Sequence, residues 1–236
     1  MTEIARSRAR AALPAALLVL AAGFASLGVW QLDRQAWKHD LIAAIASRAN
    51  GPPSPAPDVA TATDAYRRIE LTGHYRHEQE TLVRAVSDLG SGYWVMTPLE
   101  THEAVVLVNR GFITQQQRLT ARHEPAGPVK VTGLLRLSEP DGGFLRRNDT
   151  VTNRWFSRDV AAIARSHGIT HAANYFVDAD ASLNSASAPV GGLTVLRFSD
   201  NHAAYALTWF ALTLLSLGAA WNVAVRWRRP QDAPSP

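Results

Sequence analysis

One stretch near the C-terminal end gathers the side chains with the most chemical potential. Asn201-His202-Ala203-Ala204-Tyr205-Ala206-Leu207-Thr208-Trp209-Phe210 carries an imidazole followed by aromatic rings. On a helix, His202, Tyr205 and Trp209 stand at i, i+3 and i+7 and share one face. An imidazole above two aromatic rings can hold a flat, apolar, metal-containing ring at a membrane edge. The same residues also fit a plainer role, with Tyr205 and Trp209 as interfacial aromatics and His202 marking a boundary.

Other constellations carry less. His74 and His77 form an H-x-x-H, but on a strand they point to opposite faces and no carboxylate completes a metal set, so they read as surface histidines. His167 and His171 are separated by Gly168, a helix stop. Asp178 and Asp180 read as a solvated strand end. Arg110, closing the run Val108-Asn109-Arg110, suits either a carboxylate of a ligand or partner or an internal ion pair. No nucleophile elbow, zincin helix, phosphate loop or dinucleotide fingerprint is present. The central segment therefore reads as a binding surface, with no catalytic residue assigned.

The elements that must position His202 come next. Ala203 to Val225 is an uncharged run closed by Arg226, Arg228 and Arg229. At about 1.5 Å per residue it spans the roughly 30 Å hydrocarbon core. A second uncharged run, Ala11 to Leu32, follows Arg6, Arg8 and Arg10 and precedes Asp33, Arg34 and Lys38, with Pro14 in its first turn. It exceeds the roughly 7–15 apolar residues of a signal peptide and lacks a clean A-x-A site, so it reads as an uncleaved anchor. Arginines on the outer flanks put both termini in the cytoplasm and the middle of the chain across the membrane, in the periplasm for a bacterial-type chain or the intermembrane space for an organellar one. No transit peptide is visible. The net charge of +4 comes partly from these flanks, so nucleic acid is not an expected partner. The absence of cysteine excludes disulfides, covalent c-type haem attachment and thiol chemistry.

Between the spans the pattern changes. Residues 33–57 read as a helical extension, with Trp30, Arg34 and Trp37 on one face and Leu41, Ile42 and Ile45 as an apolar stripe, then a stiff proline-rich linker over 51–57. Most tryptophans near the spans (Trp30, Trp37, Trp209, Trp221 and Trp227) read as belt residues. Residues 66–198 read as short strands: from Ile69 to Tyr75 and Val129 to Leu137, which alternate, Thr81 to Val86, Tyr93 to Leu99, Ala104 to Ile113, a nearly continuous apolar run that suits a central strand, Tyr175 to Val177 and Leu193 to Phe198. Turns are expected at Gly90-Ser91-Gly92 and Pro140-Asp141-Gly142-Gly143, and one helix capped by Ser157 and stopped by Gly168. The fold class is α+β: a mostly antiparallel β extramembrane domain with one helix, flanked by transmembrane helices at 11–32 and 203–225.

Four blocks then point to a family. Gly28-Val29-Trp30-Gln31-Leu32-Asp33-Arg34, Ser91-Gly92-Tyr93-Trp94-Val95-Met96-Thr97-Pro98-Leu99, Val108-Asn109-Arg110-Gly111-Phe112 and the His202 stretch occur in order between and within two spans. Together they resemble the Surfeit locus protein 1 family of cytochrome c oxidase assembly factors, over about Ala11 to Trp227. The resemblance implies a non-enzymatic role in assembling haem–copper oxidases, and the topology read above puts the chain in the bacterial inner membrane. Such a protein binds haem a and aids its insertion into, or retention by, oxidase subunit I, alongside other assembly factors. It maps haem binding onto His202, as axial metal ligand, and Trp209. Tyr205 would then wall the ring, and Arg34 would meet a propionate or, equally, a lipid phosphate. The residues from Thr114 to Pro128 match loosely and receive no role. The competing expectation is a scaffold for oxidase subunits that binds no haem.

Overall fold

The computed structural model describes residues 3–119, 124–140, 146–184, 189–194 and 200–228. The expected turn at 141–143, the strand end at 195–198 and Arg229 lie outside them, as do the side chains of Arg6, Arg8, Arg10, Trp227 and Arg228. The chain divides into two compact units, residues 1–43 with 197–236, and residues 44–196.

The first unit is built from two helices, α1 (Glu3–Asn50) and α3 (His202–Arg228). Both contain a stretch long and apolar enough to cross a membrane, and only 11% of each stretch is buried, unlike the core helix of a soluble protein. The chain is thus a two-span membrane protein. Leu18, Val19, Leu207, Leu214 and Trp221 face outward. The shielded positions of α1 follow a spacing of three and four from Pro14 through Ala21, Phe24, Gly28 and Gln31 to Ile42. Those of α3 do the same, from His202 through Ala206, Trp209, Thr213 and Ser216 to Ala220. This heptad spacing is that of a left-handed helix pair, and its small residues let two backbones approach. A Cβ on Gly28 would lie 2.6 Å from the Phe210 ring, so any larger residue there must displace that ring.

The second unit is a small barrel. Strands β1 (Ser54–Pro55), β2 (Arg68–Tyr75), β3 (Thr81–Ser87), β4 (Gly90–Glu100), β5 (Val105–Thr114), β6 (Val129–Leu137) and β7 (Ala172–Ala179) lie in the order β1-β2-β6-β7-β5-β4-β3. Pairing of His74 and Tyr75 with Glu100 and Leu99 joins β2 to β4 and closes the sheet. At that closure Gly73 has no room for a Cβ, which would fall 2.2 Å from the Glu100 carbonyl. Inward residues of alternating strands, among them Ile69, Leu71, Leu99, Val108, Val131, Leu135 and Val177, fill the interior. A second cluster lies where α2 (Val160–Ser166) covers the sheet, with Trp155, Val160 and Ile163 against Val83, Leu107 and Phe176.

Most pairings are antiparallel, but β5–β7 and β1–β2 are parallel. The proline-rich linker contributes β1, with Ser54 opposite Ile69, so part of it is pinned to the sheet. The β3–β4 turn is Asp88-Leu89, and the glycines expected to make it begin β4 instead. Gly90 supplies the positive φ of +99° at the turn's exit. Helix α2 starts later than expected. Asp159 caps it by accepting from the Ala162 N–H, while the Ser157 hydroxyl contacts Asn148. Gly168, at φ +67°, follows its C-terminal end as expected.

Candidate functional site: the mouth of the helix pair

His202 is the first residue of α3, and the chain just before it is fixed from both sides. Asp200 Oδ1 accepts the His202 N–H at 3.0 Å, an acceptor for one of the donors that every helix start leaves unpaired. Its other oxygen meets Nε2 of His39, on α1, at 2.8 Å. The His202 amide, then hydrogen bonding and charge from His39, hold the Asp200 carboxyl below the usual carboxylate range.

The imidazole of His202 is held from α1 as well. Its Nδ1 lies 2.7 Å from Oε1 of Gln31. A carboxamide oxygen only accepts, so in this contact Nδ1 is the donor, and Nε2 is the nitrogen the contact leaves unused. Among the described residues Nε2 has no hydrogen-bond partner. Nδ1–H held by an acceptor with Nε2 open is the usual state of a metal-ligating histidine.

Two turns further along α3, the Trp209 ring stacks on Phe24 of α1, centroids 5.6 Å apart and planes at 25°. His202 and Trp209 therefore share the seam between the helices. Tyr205 stands beside that seam at 57% exposure, flanking it. Arg34 is exposed, with its guanidinium 4.3 Å from the Trp37 ring centroid, and no described contact joins it to His202. Of the four residues read from sequence, the fold brings His202 and Trp209 into one seam, sets Tyr205 at its margin and stacks Arg34 on Trp37 of its own helix. Gln31, Phe24, Asp200 and His39 received no role from sequence. Gln31 and Phe24 sit on the heptad positions of α1, the signal that points to them.

The β domain treats its polar residues differently. Asp178 is buried, 4% exposed, and is no solvated strand end. Asn109 and Arg158 donate to Oδ1 at 2.7 and 3.0 Å, and Arg136 and Thr194 donate to Oδ2 at 2.8 and 2.9 Å. Arg158 also forks onto Glu139 at 2.6 and 3.0 Å. Burial alone would weaken the proton affinity of Arg158, but Asp178 and Glu139 outweigh it and raise the pKa. Arg110 is used internally too. It lies 3.8 Å from Glu80, 3.4 Å from His77 Nδ1 and 5.1 Å from the Tyr75 ring centroid. His77 is thus a packed residue, not a surface histidine. His167 Nε2 meets the Thr81 hydroxyl at 2.8 Å. Among the described residues no three His, Asp or Glu side chains converge on a metal position.

The sequence matches the SURF1 family over residues 18–214. It is 32% identical over 218 residues to Surfeit locus protein 1 of Mus musculus, covering 83% of this chain and 70% of the mouse protein. The Homo sapiens protein of that name is 31% identical over 220 residues, covering 84% and 72%. A SURF1-like protein of Drosophila melanogaster is 30% identical over 223 residues, with the same coverage of 84% and 72%. The matched span takes in all of the β domain together with both Gln31 and His202, and the chain belongs to the SURF1 family.

Proposed function

We propose that this chain is a membrane-anchored assembly factor for haem–copper (cytochrome c) oxidase. It holds haem a as cargo at the mouth of its helix pair and aids insertion of that haem into, or its retention by, subunit I. The observation that carries this reading is the His202 imidazole, oriented through Nδ1 by Gln31 with Nε2 open.

The residues fit such a cargo. Haem a has an apolar body and tail with anionic propionates, so it partitions to the boundary between lipid and water. Nε2 of His202 supplies an iron ligand at that boundary. Trp209, braced by Phe24, and the exposed ring of Tyr205 offer apolar surface on the lipid side. Arg34 supplies a cation one turn beyond Gln31 on the water side, for a propionate or a lipid phosphate. The chain's part is to bind, orient and release; no bond of the cargo is made or broken, and the role is non-enzymatic. The arginine flanks favour a bacterial inner-membrane location with both termini cytoplasmic and the β domain periplasmic. Subunit I and other assembly factors are the partners there.

The test is an absorption spectrum of detergent-purified protein made together with haem a synthesis, for wild type and His202→Ala. A haem a spectrum that the substitution abolishes or shifts supports the reading. A colourless wild type overturns it and favours a scaffold for oxidase subunits without haem.

A further inference from the structure

We propose that the β3 edge of the β domain docks an extended, acidic segment of a partner protein, and that Arg84 and Arg146 are its main anchors. The inference stands apart from haem binding. Two adjoining hollows of about 700 and 420 Å³ share Arg84 and Tyr93. Phe156 lies in the larger, with the Arg84 guanidinium 5.7 Å and the Arg146 guanidinium 5.6 Å from its ring centroid. Arg118 approaches Tyr93 in the same way at 5.4 Å.

Stacking on an aromatic ring sets the guanidinium plane while leaving its edge donors available, arranged as a fork that matches a carboxylate. Arg84 and Arg146 are exposed, and among the described residues no carboxylate pairs with either. The acids nearby are already engaged. Asp149 meets Arg154 at 3.3 Å, and Glu80 meets Arg110 at 3.8 Å. The larger hollow, lined by Arg84 and Arg146 and by no carboxylate, therefore presents positive charge, where Arg136 and Arg158 deeper in the domain are neutralised by Asp178 and Glu139.

The backbone adds a second feature. β3 is the outermost strand of the sheet. Its outer edge is engaged at Arg84, whose N–H donates to the Trp155 carbonyl at 2.9 Å. Beyond it, Val86 and Leu89 are 80% and 50% exposed. An edge strand flanked by arginines and exposed aliphatic side chains suits a strand that alternates acidic and apolar residues. Anionic lipid is the poorer match, because lipid surfaces are met by diffuse charge, while these cations are all arginine, stacked and set in a concave surface.

The test uses the full chain in detergent and a short fluorescent peptide of alternating glutamate and leucine, followed by anisotropy. The expected result is binding that weakens with salt and falls at least about tenfold in the double variant Arg84→Glu with Arg146→Glu. The double variant Arg84→Lys with Arg146→Lys keeps the charge but loses the fork, and is expected to fall severalfold; it decides the matter if the glutamate variant misfolds by circular dichroism. Absence of peptide binding, or equal binding by all three proteins, overturns the proposal. So does arginine-dependent binding of micellar phosphatidylglycerol without peptide binding, which reassigns the surface to lipid.

Discussion

The helix pair and the β domain use polar side chains in opposite ways. Around Asp178 in the barrel the carboxylate accepts four hydrogen bonds and Arg158 and Arg136 reach Glu139 as well, so each charge of that network is paired. At the mouth of the helix pair, His202 is held through one nitrogen and its other is left open. A fully satisfied network rigidifies; a half-satisfied one, held in place, is poised for a ligand. On the proposed function, the contrast separates a residue that is buried for structure from one that is presented for binding.

The largest expected break in this comparison is Asp178→Ala. It removes the buried carboxylate shared by Arg136 and Arg158, leaving these part-buried guanidinium groups with Glu139 alone, and is expected to cost about 2–3 kcal/mol of β-domain stability. Chemical denaturation followed by near-ultraviolet circular dichroism checks it, and haem a binding per folded molecule should be unchanged. On the other side, Gly28→Val forces a side chain against Phe210 and is expected to cost the helix pair about 1–3 kcal/mol. The chain has no cysteine, so spin labels on Val29→Cys and Leu207→Cys report the helix separation directly, which should lengthen and broaden. Gln31→Ala removes only the group that orients His202, and should weaken haem a binding about tenfold by titration without changing the thermal midpoint.

The smallest effect is a pH dependence within the β domain. Burial pushes the His167 imidazole below its ordinary 6.5. Above that value the ring is neutral in both states. As the pH falls below 6.5 the unfolded chain takes up a proton that the folded domain resists, so stability declines until the folded pKa is passed. His167→Gln keeps a partner for Thr81 and should flatten that acid limb of the thermal midpoint against pH.

Much of the architecture was legible because it rests on local periodicity. Two uncharged runs of span length and six short strand-like runs, alternating or, at β5, almost continuously apolar, need no long-range information, and the bounds of β6, Val129–Leu137, match the alternation end to end. What stayed hidden depends on residues distant in sequence. Gln31 and His202 are 171 positions apart, and nothing in either neighbourhood announces their contact. Asp178 looked like a solvated acid because its arginines come from β6 and from the segment before α2. The barrel closure rests on two residue pairs between β2 and β4, too few to leave a pattern. Tyr205 illustrates the limit of helical-face reasoning. Its spacing places it near His202, but the seam follows Ala206 and Trp209, and Tyr205 is left at the margin.

The most direct test of the central claim is chemical rescue at His202. Haem a binding by His202→Gly is measured with and without added imidazole, with Gln31 left in place to hold the added ring. The account expects the variant to lose the wild-type haem a spectrum and imidazole to restore it. A variant that keeps the wild-type spectrum without imidazole contradicts the assignment of His202 as the ligand.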